Sequence, residues 1–405
     1  MLNHHSRFVR YLPGPVIIFL ITLLSIIGPF STDMYLPGLS GIVAYFGTTE
    51  AILNITLYGF VFTQALGILF LGPVSDKFGR KPVLVLSILV YIISSICCGL
   101  CPNIAAFIVC RVIQGFAAGG LMVISTALVK DCFAENVRDT VLTLVMVFSV
   151  IGPILSPILG SWIIEAVNWQ ATLVFPGLLM ILGLLITLFL GESLPADEKH
   201  TGSIGGVLLR LPALCKNKHF TYFLLSMGIF ALPFLAYLSV SSYIMIDGFG
   251  VSMFEYSLFL AANVIIGTIA MVVIRKCLKN RPRILSWLVL VLAIASGVLM
   301  LCFGHYGAFV FIGCFIPCGI AAITSRPFAL GILLRQYDGD TGSVSALFNF
   351  VLIFLGCVGM FLGTLPWPSY ITGLGICILG TGLVALFFWI LLTAGGMKLK
   401  GMEKK

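Results

Sequence analysis

Charge is the scarcest commodity in this 405-residue chain: Asp, Glu, Lys and Arg make up 9% of it, against a hydrophobic share of 60%. Water-soluble domains carry about 25% charged residues, so a water-facing surface of this size would have little to cover it. That shortage excludes a soluble enzyme, a nucleic-acid-binding protein and a disordered scaffold. Histidine is also scarce. The five residues, at positions 4, 5, 200, 219 and 305, sit near loops or ends and form no metal site within a membrane. No G-x-S-x-G, H-E-x-x-H or G-x-x-x-x-G-K-[ST] pattern occurs, which removes esterase, zinc-protease and ATP-driven readings. A buried carboxylate pair for intramembrane proteolysis is missing too. The chain is therefore expected to be no enzyme, to need no cofactor and to bind no nucleic acid.

What is present is apolar sequence, with a mean hydropathy of +1.14. A bilayer crossing needs about 20 mostly apolar residues. Twelve stretches qualify: 15–46, 51–72, 83–101, 103–128, 139–164, 171–190, 220–246, 254–274, 284–303, 306–334, 342–363 and 370–394. They are continuous rather than alternating, which predicts helices and not a β-barrel. The first is long for one crossing and predicts a span plus an outer continuation around Pro37 and Gly38. The 43 glycines and 18 prolines lie within these runs, where membrane helices tolerate them. The 12 cysteines include Cys98-x-x-Cys101, but no second pair or histidine accompanies it, so they read as small packing residues. Arg7 and Arg10 precede the first run without a small-residue cleavage site, so that run reads as a retained span.

Basic residues orient the spans. Of 23 Lys and Arg, Arg111 and Arg326 lie within spans, and the others fall at the two ends or in the loops leaving even-numbered spans. The opposite loops hold only the acids Glu50, Glu165, Asp247 and Glu255. By the positive-inside rule, both termini are cytoplasmic in a plasma or bacterial inner membrane. Glu165, near water at the outer end of span five, reads as a solvated rim acid. A polar stretch, 191–218, separates six spans from six, predicting an N-terminal bundle (1–190), a cytoplasmic linker (191–218) and a C-terminal bundle (219–405).

Several local patterns carry more. Between spans two and three the chain reads Gly72-Pro-Val-Ser-Asp76-Lys77-Phe-Gly79-Arg80-Lys81. Here Gly72 permits close helix approach, Gly79 supplies turn freedom, Asp76 can bond to a backbone amide or a basic partner, and Arg80 and Lys81 favour an anionic leaflet. Span four carries Arg111-Val-Ile-Gln114-Gly115 with Ala118 on the same helix face, and Gly115-x-x-x-Gly119 offers a small-residue contact strip. Span five contains Gly152-Pro153, Pro157 and Gly160.

The first of these patterns resembles the signature loop of the major facilitator superfamily, and the second its R-x-x-Q-G element. The glycine-proline helix resembles a variant of the antiporter motif of drug/proton exchangers. Ser31-Thr32-Asp33-Met34-Tyr35-Leu36-Pro37-Gly38, Asn168-Trp169-Gln170 and Gly339-Asp340-Thr341-Gly342-Ser343 resemble the Bcr/CflA drug-resistance subfamily. The resemblance implies an all-α membrane protein, two six-helix bundles around a cavity that opens alternately to each side. It also implies proton-driven export of drug-like molecules, with an exporter of an endogenous metabolite such as an amino acid or sugar as the alternative. The expected partners are a small-molecule substrate, protons and the bilayer, and the expected state is a monomer.

A charge at the bilayer centre costs roughly 2.5–3.5 kcal/mol, so the charges inside spans are functional candidates. Asp33 either exchanges a proton during transport or structurally caps a helix break near Pro37. Arg111 either anchors a polar network, or it senses the protonation of a nearby acid or binds substrate directly. Arg326 either lines the second bundle's cavity or snorkels to the headgroups. Candidate cavity residues are Asn54, Tyr58, Gln64, Met146, Phe234, Tyr237, Asn263 and Asn349, each with an alternative role in packing.

Overall fold

The computed structural model describes residues 12–194, 214–337, 341–396 and 399–402. Arg7, Arg10, most of the expected linker (195–213) and the Gly339-Asp340 pair lie outside the described residues. The chain divides into two compact units, Met1–Ile204 and Gly205–Lys405.

The first unit comprises α1 (Gly14–Asp33), a 3-10 turn (Leu36–Gly38), α2 (Leu39–Phe46), α3 (Glu50–Phe78), α4 (Arg80–Leu100), α5 (Ile104–Cys132), α6 (Glu135–Ala166) and α7 (Trp169–Phe189). The second comprises α8 (Lys218–Gly228), α9 (Ala231–Ser242), a π-helical stretch (Tyr243–Gly248), α10 (Met253–Cys277), α11 (Pro282–Phe303), α12 (Ala308–Leu333), α13 (Thr341–Gly363) and α14 (Tyr370–Ala394). Among the described residues, twelve helical stretches are long and apolar enough to cross a bilayer. They match the expected spans in number and order, with ends differing by a few residues.

Short polar caps set the starts of even-numbered spans. Thr49, Asn103 and Asn168 accept from backbone amides three residues on, and Ser252 and Glu255 form a reciprocal capping box. Each relieves amides that a helix start would otherwise leave unpaired.

Two spans break where proline removes a donor. Pro37 cannot bond the carbonyl of Asp33, so α1 stops there, passes through the 3-10 turn and resumes as α2. Pro233 likewise leaves the Ile229 carbonyl without its helical partner, and the seventh span divides into α8 and α9. The sequence pattern ended span two at Gly72, but α3 runs on to Phe78 with Pro73 inside it. The expected turn is thereby reduced to one residue, Gly79, at φ +107°, and Asp76 sits on the last turn of α3.

Packing follows the same order in both units. In the first, α3 lies on α5, α4 on α5 and α7, and α1 on α6; in the second, α10 lies on α12, α11 on α12 and α14, and α9 on α13. Span for span these are the same pairings. Lipid offers no hydrophobic drive for helix association, so backbones approach closely at small residues. A Cβ on Gly115 or Gly119 would strike the carbonyl of Phe60 or Gln64 on α3, and one on Gly359 would strike that of Leu232 on α9.

Candidate functional site

The break at Pro37 leaves Asp33 as the last residue of α1, 8% exposed. A helix C-terminus carries partial negative charge, so the dipole gives a carboxylate there no support. The Thr32 hydroxyl donates to Oδ1 at 2.7 Å, and no cation pairs with Asp33 among the described residues. The glycine-proline helix α6 lies against this segment: a Cβ on Gly152 would touch Pro29, and one on Gly160 would strike the Met34 carbonyl. The residues between and around those contacts, Pro153 and Pro157, also lie within α6.

Arg111, on α5, is fully buried. Its Nη1 donates to Gln114 Oε1 at 2.6 Å, its Nη2 to the Tyr35 hydroxyl at 3.3 Å and its Nε to the Thr56 carbonyl at 3.4 Å. The guanidinium also lies over the rings of Phe60 (4.3 Å to the centroid) and Tyr35 (4.8 Å). Gln114 in turn donates to Ser95 at 2.6 Å, and Tyr91 bonds Ser31. The network joins α1, α3, α4 and α5. Among the described residues it includes no carboxylate, so Asp33 and Arg111 share no ion pair; Tyr35, two residues past Asp33, is the link between them.

At the other end of the unit, Arg80 opens α4. It pairs with Asp76 at 2.6 Å and Asp131 at 3.0 Å, and donates to Ser75 at 2.6 Å. Glu192 reaches the start of α4 from beyond α7, accepting from the amides of Arg80 (2.8 Å) and Lys81 (3.3 Å). Lys81 Nζ donates to the Leu188 carbonyl at 2.9 Å. A Cβ on Gly79 would run into the Glu192 carboxylate, so its glycine answers both to backbone conformation and to this approach. Gly72 is less tightly confined, its nearest neighbour being Val123.

A family model described as Major Facilitator Superfamily matches residues 21–363. The chain belongs to the major facilitator superfamily. It is 29% identical over 356 residues to the uncharacterized MFS-type transporter YdgK of Bacillus subtilis (84% of this chain, 86% of that protein). Similarity to the multidrug resistance protein MdtL of Klebsiella pneumoniae is 30% over 58% of this chain and 59% of that one. For the bicyclomycin resistance protein homolog of Haemophilus influenzae it is 26% over 61% and 63%. Among solved structures, a bacterial homolog of the human lysosomal transporter Spinster superposes with a TM-score of 0.74 at 14% identity, covering 97% of this chain and 100% of that one; this likeness shows the fold. The chain is thus a multi-pass membrane transporter of the superfamily, with relatives named for drug resistance.

The remaining candidates of this superfamily member are spread through both units. Asn54 is fully buried with neither side-chain polar atom bonded, Tyr58 is half-buried, and Met146 is 67% exposed. Tyr237 stacks on Phe315 at 3.8 Å between centroids, its hydroxyl buried and unbonded. Phe234 flanks the same Phe315 ring. Asn263 is 4% exposed with an unbonded Nδ2. Asn349 donates to the Ser345 carbonyl, and its Oδ1 lies 3.5 Å from the exposed Arg326. Sequence reasoning missed Asp131 and Glu192 as partners of Arg80. The only signal for Glu192 was an acid soon after span six, and nothing local aims it at a residue 112 positions away.

Proposed function

We propose that this transporter is a proton-coupled exporter of drug-like small molecules, working as a monomer by alternating access, with both termini in the cytoplasm. The observation that carries the reading is Asp33: a buried carboxylate at a proline-made helix break, bonded to a hydroxyl and, among the described residues, not to a cation. It lies about 28 Å along α1 from the Gly14 end of that helix. In the proposed cycle the Asp33 carboxylate takes up a proton from the outer side and releases it inward, and substrate leaves outward. The contacts of α6 with Pro29 and Met34 on either side of Asp33 give the change in charge a moving element to act on. Tyr35 extends its reach to Arg111, which ties the segment after α1 to α3 and α5.

The energetics suffice without ATP. One proton moving through about 150 mV supplies roughly 3.5 kcal/mol, which sustains a gradient of about 300-fold for a neutral substrate. The relatives named for multidrug and bicyclomycin resistance support drug-like cargo.

The test has two arms. In proteoliposomes loaded with a transported drug, Asp33→Asn should abolish drug-dependent proton movement; undiminished movement removes Asp33 from the coupling. In a host stripped of its own efflux pumps, expression should raise tolerance to at least one of a chemically varied antibiotic panel, and a protonophore should cancel the gain. A panel with no protonophore-sensitive protection overturns the drug-exporter reading.

A further inference from the structure

The second unit has its own version of the Arg80 corner, without acids among the described residues. The turn between α10 and α11 packs over the end of α12 as the turn between α3 and α4 packs over the end of α5. A cavity of about 770 Å³ opens there. Arg275, Lys276 and Lys279 line it from α10 and the turn, and Arg335 lines it from beyond α12. All four are exposed. Among the described residues no carboxylate lines the cavity, and none of the four cations has an ion-pair partner.

In the first unit Asp76 and Asp131 neutralise the arginine and Glu192 caps the helix start. In the second, α11 begins at Pro282 with no side-chain cap and no acid in its first turn. The residues 399–402 are docked alongside, Arg283 donating to the Met402 carbonyl and Gln336 to that of Lys400, and Gly401 reaches the cavity wall. They bring backbone rather than negative charge.

Four like charges around one cavity repel one another unless an anion sits among them. The walls say what kind of anion. Met271, Val272, Phe328 and Ile332 continue from the cationic ring along α10 and α12, and Val272 is 56% exposed. A small hydrated anion has no use for that surface, whereas an amphiphile with a charged head and an apolar tail fits both parts. Basic pockets between membrane helices suit phosphate headgroups for the same reason.

We propose that this cavity binds the phosphodiester headgroup of an acidic phospholipid, with the acyl chains lying along α10. The lipid supplies from outside the negative charge that Asp131 and Glu192 supply from within the first unit.

The experiment uses the full-length protein, purified in detergent and stripped of lipid. It is offered phosphatidylglycerol, phosphatidylcholine with the same chains, or inorganic phosphate, and read by native mass spectrometry and by thermal unfolding. Phosphatidylglycerol should be retained and should raise the unfolding midpoint; the other two should not. Near a charged surface each cation is worth about fivefold in affinity, so Arg275→Gln with Arg335→Gln should weaken retention roughly 25-fold. Lys216→Gln with Lys218→Gln removes equal charge from exposed positions elsewhere and should leave retention unchanged. Should the first pair fail to fold, Lys279→Gln alone, in the exposed turn, should weaken retention about fivefold. Equal losses for both pairs would overturn the site in favour of diffuse attraction. Stabilisation by inorganic phosphate equal to that by phosphatidylglycerol would overturn the lipid in favour of a free anion.

Discussion

Arg111 carries a full charge with no exposure to solvent, and its stability rests on geometry rather than on a counter-ion. Three acceptors and two aromatic faces surround one planar fork, an arrangement that an ammonium group cannot reproduce. Arg111→Lys should therefore lower stability by at least about 2 kcal/mol, since hydrogen bonds to charged groups contribute about 1.5–3 each. Tyr35→Phe is the narrower probe: it removes one acceptor while keeping the ring under the guanidinium, and should cost about 1.5 kcal/mol. Both are read as shifts of the thermal unfolding midpoint in detergent; a lysine variant as stable as the parent would refute the cage. The sequence pointed to Arg111, Gln114 and Asp33, because charge and amide in an apolar run are visible locally. It left open whether Arg111 anchors, senses an acid or binds substrate, and the absence of a carboxylate from its network among the described residues argues against the sensor. Tyr35 and Tyr91 were not singled out, since a tyrosine in a membrane helix is ordinary until its hydroxyl is seen to face a buried polar partner.

At the scale of elements, the twelve spans and their order were legible because a helix in lipid must satisfy its own backbone, which ties each crossing to one continuous apolar run. The helix ends were less legible. Hydropathy falls where the lipid stops, while α3 continues into the polar region until Gly79 ends it. Close packing was legible only where small residues recur at helical spacing, as at Gly115 and Gly119. The two glycine classes make different predictions. Gly119→Ala drives a methyl group into the Gln64 carbonyl and should destabilise by about 1–3 kcal/mol, whereas Gly72→Ala meets only the Val123 side chain at 3.3 Å and should be better tolerated. Gly79→Ala combines an extended, positive-φ backbone that only glycine adopts readily with the Glu192 approach. It should cost about 1–3 kcal/mol from conformation alone and should also loosen the cap on α4. Replacing Glu192 with Ala alongside Gly79→Ala should recover the steric part of that cost and leave the conformational part. Thermal unfolding of the two single variants and the double variant would separate them.

For the whole molecule, the placement of base and acid argues for one orientation. The structured clusters at Lys77–Lys81 and Arg275–Arg283 both lie at the turns and helix ends that follow even-numbered spans, while Glu50, Glu165, Asp247 and Glu255 lie at the opposite helix ends. A membrane inserts such a chain with its basic loops retained on the cytoplasmic side. The native cysteines allow a direct check. Cys277 is exposed at the end of α10 beside one basic cluster, and Cys302 is exposed near the far end of α11, so the two mark opposite faces of adjacent crossings. With each retained alone in an otherwise cysteine-free chain, a membrane-impermeant thiol reagent should label Cys277 in inverted vesicles and not in intact cells. Cys302 should show the reverse pattern wherever it is labelled. Labelling of Cys277 from outside would invert the topology, and with it the direction in which Asp33 is proposed to pass its proton. The orientation experiment therefore bears on the coupling proposal before any substrate is known.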